Sequence, residues 1–526
     1  MEALGRGTSI PVRAVLSFSR ANEAADFIDL GCRFDSESVS YGFSFDKELL
    51  DEWHWKEAFS PQPETLKYIK RVAEKHDLIR DIQFHTRIRS ARWDDEDRTW
   101  TFTDEEGSHY RTRFFISCLG FLSSPTLPNI PGVKDYAGES FHTSRWPADL
   151  DINRDFAGKR VGVIGTGATG IQLITEVAKV PSLKSLSVLQ RTANWSCPLN
   201  NSEISQDQMS RHRSEYDHIF ARCAETPASF IHQADPRKSL EVSEEERLAL
   251  WEKLYAEPGF GKWLGVFSDT YTDRQANEMY SKFMADKIRG RVNDPEIADS
   301  LIPKNHGFGT RRVPLESGYF EAYNQDNVHL VDLQKTPITR VTPTGIETED
   351  GKEHTLDVLI YATGFDAITG AFSAIDWQAK DGRPLIAESN ANAVWPDHRP
   401  STFLGMTAPA MPNMFMVLGP HQMFGNATRS IEYAVEFIGG ILQHCKDNDY
   451  TYVEPTMKAT EDWTEHVFEC SKGALMNEVD SWMTGVNKNV QGKKVRSVAR
   501  YSGSAVVFRE WCQRSKDAGY EGLMFA

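Results

Sequence analysis

The chain has no apolar run approaching the roughly 20 residues that span a bilayer, no CxxC pair and no excess of positive charge. The first absence excludes a membrane-spanning helix. The N-terminus also lacks a signal-peptide pattern, because Ala14-Val15-Leu16-Ser17-Phe18 is too short an apolar stretch. The cysteines, at 32, 118, 197, 223, 445, 470 and 512, are scattered and odd in number. That argues for a reducing compartment and against a disulfide framework or a metal site. A formal net charge of −16 with dispersed acidic residues leaves nucleic acid out as a partner. The expectation is a soluble cytoplasmic enzyme, and 526 residues are too many for one core and suggest two or three domains. Neither internal repeats nor low-complexity tracts occur.

What is present begins with one glycine-rich loop, Gly165-Thr166-Gly167-Ala168-Thr169-Gly170. The lead-in at 159–164 reads as a short buried strand, and Ile171-Gln172 and the residues up to 178 read as a helix. This is the setting a dinucleotide fingerprint requires. The first glycine makes the tight turn, the second lets backbone approach the pyrophosphate, and the third packs helix on strand. The helix N-terminus then offers free N–H groups to phosphate. The next strand, 183–191, ends at Arg191-Thr192, where an NAD enzyme would place a carboxylate for the ribose. An arginine there suits a 2′-phosphate and predicts NADPH.

Residues 1–30 show no convincing core element. Helices are expected over 45–80, then a β-meander built on 82–86, 91–93 and 100–103, then a buried parallel strand at 114–120. The charged stretch 203–300 reads as a helical insertion. Strands return at 328–332, 337–341, 356–361 and 414–419, and a long helix follows over 430–438.

Ahead of the loop, Tyr136-Ala137-Gly138 through His142 to Trp146-Pro147 resembles the fingerprint of type I Baeyer–Villiger monooxygenases, with tyrosine in place of the usual phenylalanine. Gly31-Cys32-Arg33-Phe34-Asp35-Ser36-Glu37-Ser38 and Tyr41 look like that family's segment beside the flavin. Gly309-Thr310-Arg311-Arg312, Ala362-Thr363-Gly364-Phe365-Asp366 and Ser481-Trp482-Met483-Thr484-Gly485 resemble further family motifs in the same order. The likeness runs from about residue 31 to the C-terminus. It implies an α/β fold of two dinucleotide-binding, Rossmann-like domains, the first truncated and the second carrying the helical insertion. FAD would be held by 31–135 and 362–526, NADPH by 149–361, with 136–148 as the linker. His142 taken alone could be a ligand, a base or a satisfied structural histidine; the family comparison favours a hinge role.

The resemblance also implies the chemistry. NADPH reduces FAD, the reduced flavin takes up O2, and oxygen is inserted next to a ketone carbonyl to give an ester or lactone. Arg312 would stabilise the developing anion, because a guanidinium stays protonated at any working pH. Asp35 would position it. Arg33, Phe34, Asp35, Tyr41, Ile88 and Gly364 would contact cofactor on the flavin side. Residues 165–172, Arg191, Thr192, Arg311 and Trp482 would contact NADPH. Arg311 stands where a lysine is usual and keeps its charge.

The family's own glycine-rich FAD loop has no counterpart in this sequence. Gly5-Arg6-Gly7-Thr8-Ser9 lacks a preceding strand and a third glycine and runs into Pro11. On the Baeyer–Villiger reading, FAD is held by the surviving contacts or the first exon is incomplete; two further readings are a non-catalytic or NADPH-binding remnant unable to hold FAD productively, and a flavin monooxygenase acting on N or S. The chain as written is expected to express poorly and carry little flavin. Gly419 to Asn426 resembles forms found in fungal secondary-metabolism members that oxidise bulky ketones, while the ketone itself and the oligomeric state are not legible.

Overall fold

The computed structural model describes residues 14–15, 32–490, 493 and 496–526. The Gly5–Ser9 stretch and Gly31 lie outside them.

A five-stranded, wholly parallel sheet forms the centre of one half. Its order is Val328–Asp332, Ser185–Gln190, Arg160–Ile164, Val358–Tyr361 and Glu139–His142. Covered on both faces, the three inner strands are largely apolar and buried, as parallel strands at the centre of a sheet must be; Val161, Val163, Val188 and Ile360 are fully buried. The helix Ala168–Val177 lays Ile171, Ile174 and Val177 against them.

The predicted insertion is helical: Gln206–Glu225, Glu244–Ala256, Gly261–Leu264, Arg274–Arg289 and Pro295–Leu301. Two of these helices start with complete capping boxes, Ser205 with Gln208 and Ser243 with Glu246, which fix the first turns by satisfying orphan N–H groups. Trp251, Tyr280 and Phe283 join the same core as the sheet, so the insertion is packed onto the nucleotide half rather than hung from it.

The other half is assembled from pieces. The meander Ile88–Asp94, Thr99–Asp104 and His109–Thr112 is antiparallel, as predicted, and gains Asp376–Gln378 in parallel on its first strand. Phe115–Ser117 pairs in parallel with Met414–Met416. Ile82–Gln83, expected in the meander, pairs instead in parallel with Ala14–Val15. Residues 1–30 therefore do contain a strand, too short and too isolated to announce itself by alternation. The helices Ala427–Asp447, Met457–Ser471 and Ala505–Asp517 close a separate core around Phe437, Trp463 and Phe508.

Two expectations need correction. The strand at 114–120 was expected to be buried, yet Ile116 is 41% exposed. Among the described residues this strand has a neighbour on one edge only, so half its surroundings are open. The fingerprint is not simply a linker, because Glu139–His142 is hydrogen-bonded into the nucleotide sheet as its edge strand. Among the described residues no helix is long and apolar enough to cross a membrane.

Candidate active site

The glycines of the 165–170 loop have three separate jobs. Gly165 sits at φ +109°, and a Cβ there would lie 2.5 Å from the carbonyl oxygen of Ala362. A Cβ on Gly170 would stand 2.3 Å from the Gly165 carbonyl oxygen. Gly167, by contrast, faces open space and caps the helix with no side-chain bond of its own. Two glycines are there for packing and one leaves room, which is the arrangement a pyrophosphate against helix N–H groups needs. Thr166 closes the loop by donating to the Thr192 carbonyl at 2.8 Å.

Arg191 is exposed beside this loop, and Arg311 is half-buried. Burial pulls the Arg311 pKa down, and the nearby positive charge of Arg191 pulls it further. The Nε of Arg311 is buried without a hydrogen-bond partner among the described residues. Two guanidiniums drawn together, one with an orphaned donor, fit a ribose 2′-phosphate.

Asp35 and Arg312, 277 residues apart in sequence, meet at 2.8 Å. The Asp35 side chain is nearly fully buried while Arg312 is a third exposed, so the pair has a fixed end and an open end. Asp35 also accepts from Gln172 Nε2 at 3.2 Å and from the Leu315 N–H at 3.3 Å. Arg312 donates to the Val313 carbonyl and lies 5.9 Å over the Phe260 ring. Gln172, on the helix that follows the glycine-rich loop, thus reaches the carboxylate that positions Arg312. Phe260 comes from the insertion, where no spacing in the sequence could have announced it.

The remaining candidates fall in different places. Phe34 stacks on Tyr41 with ring centroids 4.2 Å apart, and burial pushes the Tyr41 phenol up to about 12. Arg33 is held by Glu57 at 2.9 Å and by the Phe59 carbonyl, which occupies much of its charge locally. Ile88 is buried in the meander core with Trp100 and Trp377, so its side chain serves packing. Trp482 stands half-buried on a 3-10 turn, Trp482–Thr484. Gly364, at φ +81°, faces open space where a Cβ would meet nothing. That cradle, with Tyr41 and the Asp35–Arg312 pair, fits a flat ring system on the flavin side. Among the described residues no second loop like 165–170 follows a strand of that half.

His142 is fully committed. Its Nε2 donates to the Gly364 carbonyl at 3.0 Å, and its Nδ1 accepts from the Ser144 N–H at 3.1 Å. The obligate donor at Nδ1 makes the ring neutral, and burial lowers its pKa to about 4. Neither nitrogen is left for a metal or a proton, and the ring packs edge-on against Phe365 at 5.4 Å. The histidine fastens the edge strand of one half to the crossing segment that leads into the other. No group of three or more metal-ligating side chains occurs among the described residues.

Known proteins share this architecture. The model of the flavin-binding monooxygenase-like family matches residues 51–206. The chain is 42% identical over 501 residues to 2-oxo-Δ3-4,5,5-trimethylcyclopentenylacetyl-CoA monooxygenase of Pseudomonas putida, covering 94% of this chain and 90% of that protein. It is 38% identical to cyclohexanone 1,2-monooxygenase of an Acinetobacter species, covering 94% and 88%. A crystal structure of OTEMO in complex with FAD and NADP superposes with a TM-score of 0.90 at 40% identity, over 97% of this chain and 94% of that one.

Proposed function

Because the chain belongs to the type I Baeyer–Villiger monooxygenase family, we propose that it is an FAD- and NADPH-dependent monooxygenase that inserts one O2-derived oxygen beside a ketone carbonyl, giving an ester or lactone. Residues 31–135 and 362–526 serve FAD, and 149–361 serve NADPH. The flavin, when bound, supplies hydride acceptance from NADPH and the activation of O2. The protein's own residues hold, orient and exclude water.

Arg191 and Arg311 take the 2′-phosphate, and the N–H groups at the start of Ala168–Val177 take the pyrophosphate. Arg312 offers a permanent positive charge where negative charge develops on oxygen. Asp35 fixes the direction of that charge, and Gln172 ties it to the nucleotide helix. Trp482 would stand near the nicotinamide and the substrate. The observation that carries this reading is the Asp35–Arg312 pair, its carboxylate buried and held by Gln172, since it joins the flavin-side segment to the nucleotide-side helix at one carboxylate.

The test is NADPH- and O2-dependent conversion of cyclohexanone to its lactone, with flavin supplied in excess and product followed by gas chromatography. Arg312→Ala is expected to lower lactone formation on the order of 10²–10³-fold while NADPH oxidation continues. Full lactone yield in that variant would remove Arg312 from the chemistry.

A further inference from the structure

Arg500 has no carboxylate partner among the described residues. Its guanidinium donates to Met476 Sδ at 3.2 Å and to Ser502 Oγ at 3.5 Å, a weak acceptor and a contact at the limit of hydrogen bonding. Desolvation alone brings its pKa down to about 10, yet the residue is half-buried and reachable by solvent. A guanidinium stripped of water and given no counter-charge is costly to keep. Other partly buried arginines are treated otherwise: Arg312 has Asp35, Arg33 has Glu57, and Arg291 has Glu316 and Glu321.

The segment that carries Arg500 is bonded to the elements that carry the site. Tyr501 turns into the C-terminal core, whereas the Arg500 head reaches Met476, on the 3-10 turn Leu475–Glu478. That turn is bonded through the Leu475 N–H to the Tyr271 carbonyl. The Tyr271 ring in turn crowds Gly309, three residues before Arg312. On the other side, the His421 N–H donates to the Ala499 carbonyl and Met423 bridges Tyr501. The same segment continues to Asn426, which donates to the Ser40 carbonyl beside Tyr41. Ser497, just upstream, donates its N–H to Thr484 on the Trp482 turn. Asn477 and Val498 line a cleft of about 340 Å³ that also presents Arg399 and Arg496. Arg496 is paired with Asp480, while no carboxylate pairs with Arg399 among the described residues.

We propose that Arg500 is the receptor for an anionic substituent of the ketone, so that the chain selects keto acids over neutral ketones. This rests on the reading of the site as a ketone monooxygenase. A carboxylate would satisfy the guanidinium fork in the two-bond geometry that arginine favours. A neutral ester in the same place leaves the cation unpaired, which is how a polar site rejects an analogue lacking its partner.

The experiment compares 2-oxocyclohexaneacetate with its methyl ester as substrates of the flavin-loaded full chain, with cyclohexanone as reference. Wild type is expected to favour the acid at least tenfold in kcat/KM. In Arg500→Leu the acid-to-ester ratio should fall at least tenfold, mostly through KM for the acid, and Arg500→Lys should recover part of it. An acid-to-ester ratio that is the same in wild type and Arg500→Leu overturns the inference, and turnover of cyclohexanone then leaves the monooxygenase reading standing. If no ketone is turned over, that reading fails, and the anion site is judged by binding alone. A rise in unfolding temperature with the keto acid in wild type but not in Arg500→Leu supports the site; equal rises overturn it. Should Arg500→Leu not fold, Arg500→Gln is judged by the same ratio.

Discussion

The nucleotide half and the flavin half solve the same problem differently. The first centres on one continuous parallel sheet, five strands wide, with its phosphate loop at the carboxyl end of an inner strand, and carries the antiparallel piece Ile338–Thr342, Gly345–Thr348 and Glu353–Thr355 beside it. The second divides its strands among a four-stranded mixed sheet and two-stranded pieces, and its apolar side chains among three separate cores. Exposed apolar side chains occur on both halves, Ile116 and Phe84 on the flavin half and Leu240 and Leu248 on the nucleotide half, but the inner strands of the nucleotide sheet bury theirs. The nucleotide half is thus a self-sufficient frame, and the flavin half takes its geometry from what is fastened to it. Asp35, Gln172, His142 and Gly364 are those fastenings.

The largest expected effect tests the first half of that contrast. Gly165→Ala must place a methyl against the Ala362 carbonyl at φ +109°, combining backbone strain with overpacking. A loss of about 3 kcal/mol in unfolding free energy is expected from such a combination, read by urea titration. Gly167→Ala meets nothing and should change stability by less than about 0.5 kcal/mol while weakening NADPH. Equal destabilisation by the two substitutions would show that the sheet does not set the loop.

Acid should act next, and on the fastening. The folded state holds His142 with its pKa near 4, below the ordinary value of 6.5. The unfolded chain therefore binds the extra proton first. Stability is unaffected above about pH 6.5, falls as pH drops between 6.5 and 4, and stops falling on this account below 4. The slope is about 1.4 kcal/mol per pH unit for one full proton. His421, also lowered to about 4 by complete burial, adds a share from within the flavin half. His142→Gln should flatten the slope by up to one proton, and an unchanged slope would mean that His142 is not what ties the halves together.

The difference between the halves also decides what could be read from sequence. Strand 160–164, its loop and its helix are local, contiguous and strongly patterned, so periodicity and three glycines reveal them. Arg191 is legible because it ends the very next strand. The meander is legible from alternation and acidic turns. Ala14–Val15 is not, because two residues carry no period, and its partner Ile82–Gln83 is remote. Phe260 over Arg312 and Met476 against Arg500 are products of tertiary packing with no signature in spacing. His142 was identifiable as a motif member, but its neutral tautomer follows only from seeing Ser144 and Gly364 on either side of the ring.

A smaller effect concerns cofactor choice. Hydrogen bonds to a charged group contribute about 1.5–3 kcal/mol, so Arg191→Ala or Arg311→Ala should raise KM for NADPH on the order of 10–100-fold. KM for NADH should move little. A NADPH-to-NADH preference that survives the double substitution would show that these two arginines do not hold the phosphate.

The smallest effect is the most informative about the seam. Gln172→Ala removes one 3.2 Å bond to Asp35 but leaves Arg312 and the Leu315 N–H on that carboxylate. A loss of about 1 kcal/mol, roughly fivefold in lactone formation, is expected. Its meaning lies in a double-mutant cycle with Arg312→Lys. If Gln172 acts by aiming Asp35, the two substitutions share a target and the double variant is less impaired than the product of the singles. Strict additivity would mean that the nucleotide helix and the arginine act on the reaction independently, and the two halves would then be neighbours rather than one machine.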